Sequence, residues 1–248
     1  MKRISSLIVC TLVALLSHSQ SAHHTPHWSY FGAAGPAHWG DLSSEFSTCK
    51  TGHQQSPINI TNPVPSDLPA IDFHYEPATL KIIDNGHTVQ VNYPPGSYIT
   101  VGNQRYQLLQ FHFHHPSEEL IQGKAYDLVI HLVHQDAEEH KAVVAVLVNQ
   151  GQSNPELETI FSHLPKSRDK EVATDVSINA RDLLPGERSY YTFPGSLTTP
   201  PCSEGVTWFV LKKPLTLSKS ELAQFTKRYP HDARPVQPLN GRQVLAAR

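Results

Sequence analysis

Gln110-Phe111-His112-Phe113-His114 reads as a β-strand with two chemically different faces. Side chains alternate along a strand, so His112 and His114 share one face with Gln110, and Phe111 and Phe113 share the other. The two imidazoles then rise side by side, about 6.5–7 Å apart at the backbone. That is close enough to converge on one metal ion. A helix would set residues two apart on nearly opposite sides, so the pattern has this meaning only on a strand.

The next strand-like segment, Asp127-Leu128-Val129-Ile130-His131-Leu132-Val133-His134, follows a turn containing Gly123. Antiparallel pairing brings His131 beside the first two histidines. His134, three residues on, faces the other way, and His115 has the wrong parity and precedes Pro116. Three histidines leave a fourth tetrahedral position for water, the arrangement of a catalytic zinc. From these residues alone, zinc hydrolysis or hydration, another metal role such as copper, and buried structural histidines all stay open. A zincin-type protease is disfavoured because no His-Glu-x-x-His helix is present.

The surrounding chain favours a sheet. Segments 89–93, 97–101, 106–114, 126–134, 142–149 and 205–212 are rich in Val, Ile, Leu, Phe and Tyr between turn residues, and their short spacing favours antiparallel neighbours. Twenty prolines and 13 glycines imply many turns and few long helices. Two helices are predicted: 156–164, opened by Pro155, and one started by the capping-box pair Ser218 and Glu221. The chain has 248 residues, a formal charge of −2 and no basic block, which gives no sign of a nucleic-acid or anionic-membrane partner. Sixteen histidines are the compositional peculiarity.

Lys2 and Arg3 precede an apolar run from Ile4 to Leu16 and a small, polar stretch from Ser17 to Ala22. This is the layout of a secretory signal peptide over residues 1–22, with cleavage near 19–22 and one domain over 23–248. The run is short for a bilayer, and no later stretch reaches the ~18 apolar residues of a spanning helix. With Cys10 in the leader, Cys49 and Cys202 remain. A lone pair in an exported chain is most simply a disulfide, the alternative being two free thiols.

Several separated motifs, taken together, resemble the alpha-class carbonic anhydrases. They are Gly35-Pro36-Ala37-His38-Trp39, Gln55-Ser56-Pro57-Ile58, Asn85-Gly86-His87, Gln110 to His114, Ser117-Glu118 and His131-Leu132-Val133-His134. Gly195-Ser196-Leu197-Thr198-Thr199-Pro200-Pro201, Val206-Thr207-Trp208 and Arg234-Pro235-Val236-Gln237-Pro238-Leu239-Asn240 complete the set. The resemblance spans the mature chain in order and is nearest the compact bacterial, periplasmic members. It implies a mainly β single domain: a large twisted, mostly antiparallel sheet of about ten strands, near the usual upper size of an open sheet, with small surface helices. It also implies a Cys49–Cys202 bond, cis bonds at Ser56-Pro57 and Pro200-Pro201, and a periplasmic or secreted location.

By the same resemblance the activity is reversible hydration of carbon dioxide to bicarbonate and a proton by a zinc-bound hydroxide. His112, His114 and His131 hold Zn2+, and Gln110 orients a ligand ring. Thr198 accepts a hydrogen bond from the hydroxide and donates one to Glu118. Val133, Val143, Leu197, Val206 and Trp208 form the apolar substrate pocket, with Thr199 and Gln90 as polar lining. His87 is the proton shuttle, and His23, His24 and His27 stand near the start of the mature chain. Carbon dioxide and bicarbonate are the partners, with no nucleic acid, no stable membrane insertion, and a monomer or homodimer as the expected state. The rival readings are a non-catalytic relative on the same fold and a zinc carrier. The chain departs from the family at Val129, where a glutamate usually receives the other ring N–H of the third histidine. Asp127 is too far along to substitute. Weaker zinc retention is the expectation unless a backbone carbonyl replaces that partner.

Overall fold

The computed structural model describes residues 27–248. The signal peptide read over 1–22, together with His23 and His24, lies outside the described residues. Thirteen strands form one sheet. Ten of them follow one path: Val172–Ile178, Ala78–Asp84, Val89–Asn92, Gln104–His114, Leu128–Gln135, Lys141–Gln150, Glu204–Leu211, Tyr190–Ser196, Leu245–Ala247 and Val64–Ser66. Ile71–His74, Tyr98–Val101 and Leu215–Leu217 attach beside this path. The sheet is therefore larger than the ten strands expected and mixed in direction. Lys141–Gln150 runs parallel to both Glu204–Leu211 and Leu215–Leu217, and Leu245–Ala247 runs parallel to Val64–Ser66. The chain makes room for these parallel pairings with long excursions between partners, including the helix Pro155–Ser162.

Both predicted helices are present. Pro155–Ser162 is capped by Asn154, whose side chain accepts the N–H groups of Glu156 and Leu157. Lys219–Thr226 carries the full capping box of Ser218 and Glu221. The two helices pack Phe161 and Phe225 against Phe113 from behind the central strands. No helix among the described residues is long and apolar enough to cross a membrane.

The sheet separates two apolar cores. Phe111, Phe113, Leu128, Ile130 and Leu132 enter the larger one, with both helices. Val129, Val133, Val143, Val206 and Trp208 enter the smaller one on the opposite face. Register follows from this division. Phe111 lies opposite Leu132, His112 opposite His131 and Phe113 opposite Ile130, so residues of like burial meet across the ladder. A bulge at Leu109 sets the faces, since Leu108 pairs with His134 and Gln110 with Val133. The extra residue lets Leu108 and Phe111, three apart, enter the same core, while Gln110 stays on the histidine face by regular alternation.

Candidate metal centre

Ring nitrogens of His112, His114 and His131 lie within 4.8 Å of one another, on the face predicted from alternation. His114 and His131 are buried, and His112 opens to a cleft. Each ring has one nitrogen committed to an oxygen acceptor. Gln110 Oε1 accepts from His112 Nδ1 at 2.9 Å, the Asp232 carbonyl from His114 Nδ1 at 2.7 Å, and Glu119 Oε2 from His131 Nε2 at 3.2 Å. Those acceptors place the proton on the committed nitrogen and leave a lone pair on the other. Nε2 of His112, Nε2 of His114 and Nδ1 of His131 are the free atoms. His114 Nε2 is buried with no hydrogen-bond partner among the described residues, the condition a missing ligand bond produces. Burial holds His112 down to about 3, helped by His131, and pushes His114 well below the ordinary histidine value. Neutral imidazole is the form a metal requires. The donor set fits Zn2+ with one position open.

Two consecutive carboxylates meet this cluster. Glu118 Oε2 stands 3.6 Å from His114 Nε2 and 3.9 Å from His131 Nδ1, while Glu119 holds the far side of His131. Consecutive residues of a strand would diverge, but 118 and 119 lie in a bend, so both turn inward. Burial raises the Glu118 carboxyl well above its usual range, and the charge of Glu119 adds to this. The Arg234 N–H, 2.7 Å from Oε1, opposes the rise, and so does the Thr198 side chain. Thr198 lies against the carboxylate without giving Oε2 a well-aligned donor.

The loop bearing Thr198 is tied down from three directions. Ser196 and Ser56 exchange hydrogen bonds, Ser56 N–H to Ser196 Oγ at 2.9 Å and Ser196 N–H to Ser56 Oγ at 3.2 Å. Gln55 donates to the Cys202 carbonyl, and Cys202 is bonded to Cys49 with Cα atoms 5.0 Å apart. Gly195 permits the close approach, because a Cβ there would sit 2.2 Å from Ser56 Oγ and 2.7 Å from Trp208 Cδ1. Ser56-Pro57 and Pro200-Pro201 are cis, and so is His115-Pro116.

Gln90, Gln110, His112, His114 and Thr199 line a cleft of about 120 Å³ whose outer wall is Trp28, Tyr30, Asn85 and His87. Asn85 Oδ1 accepts the N–H groups of His87 and Thr88, and Gly86 adopts φ +83°, so a tight turn presents His87. Val133, Val143, Val206 and Trp208 are buried together, with Leu197 packed on them. The Trp208 ring centroid is 5.0 Å from that of His131. His134 faces the larger core and bonds the Tyr75 hydroxyl at 2.8 Å. Asp127 instead accepts from the Gln150 N–H.

Two contributors were not legible in the sequence. Asp232 presents a backbone carbonyl from 118 residues away, which no local pattern announces. Glu119 had a faint signal, the doubled glutamate of Ser117-Glu118-Glu119. It also alters the reading of Val129: the acceptor for the third histidine is present, and it is a side-chain carboxylate from the bend rather than a backbone carbonyl.

The model of the family "Eukaryotic-type carbonic anhydrase" matches residues 34–248. The chain is 43% identical over 230 residues to a carbonic anhydrase of Nostoc sp., covering 90% of this chain and 87% of that protein. It is 46% identical over 224 residues to a carbonic anhydrase of Klebsiella pneumoniae, covering 88% and 90%. Among solved structures, the alpha-carbonic anhydrase from Thermovibrio ammonificans in complex with sulfanilamide superposes with a TM-score of 0.86 at 42% identity, covering 89% of this chain and 99% of that one. The fold and the three-histidine site thus define a β-sheet protein of the carbonic anhydrase type. The chain belongs to the eukaryotic-type, or alpha-class, carbonic anhydrase family.

Proposed function

We propose that this chain is an exported zinc enzyme that reversibly hydrates carbon dioxide to bicarbonate and a proton. The observation that carries the reading is the three free imidazole nitrogens, each fixed by an acceptor on the opposite side of its ring. Zinc in a three-histidine site with an open position acidifies bound water, a property for which carbonic anhydrase is itself the standard illustration.

The chain's own residues supply the rest. Thr198, which lies against the Glu118 carboxylate, would turn its hydroxyl to donate there, keep its oxygen lone pair for the reacting water and so aim the nucleophile. Ionisation of Glu118, which burial opposes, is favoured by the Arg234 N–H and would be favoured further by a divalent ion held by His112, His114 and His131. Val133, Val143, Leu197, Val206 and Trp208 give an apolar wall suited to an apolar substrate. Gln90 and Thr199 supply polar lining to the cleft. His87, at the outer wall, takes the released proton and passes it to solvent.

Residues 1–22 act as the leader and 23–248 as the domain, delivered to the periplasm or the medium, in agreement with the Cys49–Cys202 bond. The enzyme works as a monomer or a homodimer. Stopped-flow hydration by the zinc-loaded protein, with His112→Ala as control, tests the function. Wild type faster than the control by several orders of magnitude is expected. Equal rates would reject an enzyme and leave a zinc carrier or a binding protein.

A further inference from the structure

We propose that Glu119 is the positioning residue for His131, in the place vacated at Val129. The proposal rests on the zinc reading above. Glu119 is fully buried, and its Oε2 faces His131 Nε2 at 3.2 Å. Among the described residues its Oε1 has no partner, so the imidazole is the only hydrogen-bonding group the carboxylate meets. A buried carboxylate with a single polar neighbour is costly unless that neighbour makes use of it.

The backbone of the bend is fixed independently of the histidine. Ser117 Oγ donates to the Glu119 carbonyl at 2.8 Å and accepts the Tyr126 N–H at 2.9 Å. Immediately after, Leu120–Ile121 pairs in parallel with Asn59–Ile60. Glu119 is therefore held between two anchored points and reaches inward as a preset acceptor. Val129 shares the face of His131 on the same strand and is itself fully buried among Ile58, Ile60 and Leu147. A carboxylate at 129 would approach the same imidazole from that direction. A valine at 129 is compatible with a held His131 because Glu119 supplies the acceptor: one is needed, and either wall can supply it. Its work is to select the tautomer that leaves Nδ1 of His131 free, to hold the ring's orientation and, as a carboxylate, to raise the basicity of Nδ1 beyond what a neutral amide acceptor gives.

The test uses E119Q, which keeps the packing and removes the charge. Zinc release from the loaded protein to a chelator is measured, alongside the visible spectrum of the cobalt-substituted protein and the melting of the zinc-free protein. Release from E119Q is expected to be about 10–100-fold faster than wild type, with an altered cobalt band and little change in the zinc-free melt. V129E in the E119Q background is expected to slow release back toward wild type. V129E alone is expected to give no gain, because the acceptor is already present. The proposal is overturned if E119Q holds zinc as long as wild type, or if the double variant releases it as fast as E119Q. It is also overturned if V129E alone slows release fivefold or more, an arm that remains readable should E119Q fail to fold. Each of these results stands apart from the hydration assay: loss of zinc control at Glu119 in a protein that never hydrates carbon dioxide would reject the enzyme and keep this inference.

Discussion

The imidazole of His87 lies flat on the indole of Trp28, with ring centroids 3.6 Å apart and planes 7° from parallel. His87 is thereby partly buried where it lines the cleft, and the His27 ring centroid stands 6.4 Å from its own. Burial first, and the His27 charge second, lower the proton affinity of His87 below the ordinary histidine value. In the proposed shuttle role, a His87 held low is neutral, and able to accept a proton, down to more acidic pH. Trp28→Ala removes the cover, so the His87 pKa should rise, as read by NMR titration of its ring protons. An unchanged or lower value would contradict the assignment of the shift to burial.

His87→Ala should slow steady-state hydration by at least about 10-fold. The loss should fall short of the ~10²–10⁴-fold that a general acid–base group can supply, because small buffers can enter the cleft. Imidazole added to the assay should restore most of the rate. Failure of any buffer to rescue the variant would count against a shuttle.

Thr198→Ala removes the hydroxyl that the proposed mechanism sets between Glu118 and the reacting water, while leaving the rings of His112, His114 and His131 untouched. The rate should fall about 10²–10³-fold, the cost of losing one preorganised hydrogen-bonding group. Zinc content, measured by metal analysis of the purified variant, should stay stoichiometric. A Thr198→Ala protein with unchanged turnover would remove Thr198 from the mechanism.

His134 ties stability to pH. Burial holds it down to about 3 in the fold, against about 6.5 for an ordinary histidine. Between these values the unfolded chain binds a proton that the folded chain does not, so stability is complete above about pH 6.5 and declines on acidification toward pH 3. The slope is about 1.4 kcal/mol per pH unit, or roughly 2 kcal/mol between pH 7 and pH 5. Zinc-free wild type should lose that much more than zinc-free His134→Gln in urea unfolding at the two pH values. The remaining buried histidines are common to both proteins and cancel. Equal losses would contradict the linkage.

Cys49 and Cys202 close a loop of 153 residues, which the chain-entropy model values at about 4–5 kcal/mol. Cys202 also sits at φ +57°, a region that costs a non-glycine residue about 1–2 kcal/mol. Reduction should lower the denaturant midpoint and loosen the loop bearing Thr198, with a fall in activity. Among bond-free variants, C49A/C202G should be about 1 kcal/mol more stable than C49A/C202A, since glycine tolerates that backbone. The reverse order would contradict the backbone argument.

Much of the fold was legible because its signals are local. The predicted strands at 89–93, 97–101, 106–114, 126–134, 142–149 and 205–212 all appear with ends shifted by one or two residues. Strand direction was less legible. Lys141–Gln150 and Glu204–Leu211 are parallel, yet their apolar composition would look the same in an antiparallel pair. Ala78–Asp84 is harder to read from the sequence although its burial alternates residue by residue, because lysine and threonine interrupt the apolar run.

The sequence alone determined that His112 and His114 share a face, because two-residue periodicity is a property of the backbone at each residue. It also singled out Cys49 and Cys202 as the pair that remains if residues 1–22 are a leader carrying Cys10. Only the tertiary structure decided that His131 stands opposite His112, since register depends on which side chains fill the two cores and on the bulge at Leu109. It alone decided that Asp232 and Glu119 hold the other two rings. A hydrogen bond between groups far apart in the chain, or across a bend, leaves no period in the sequence to read.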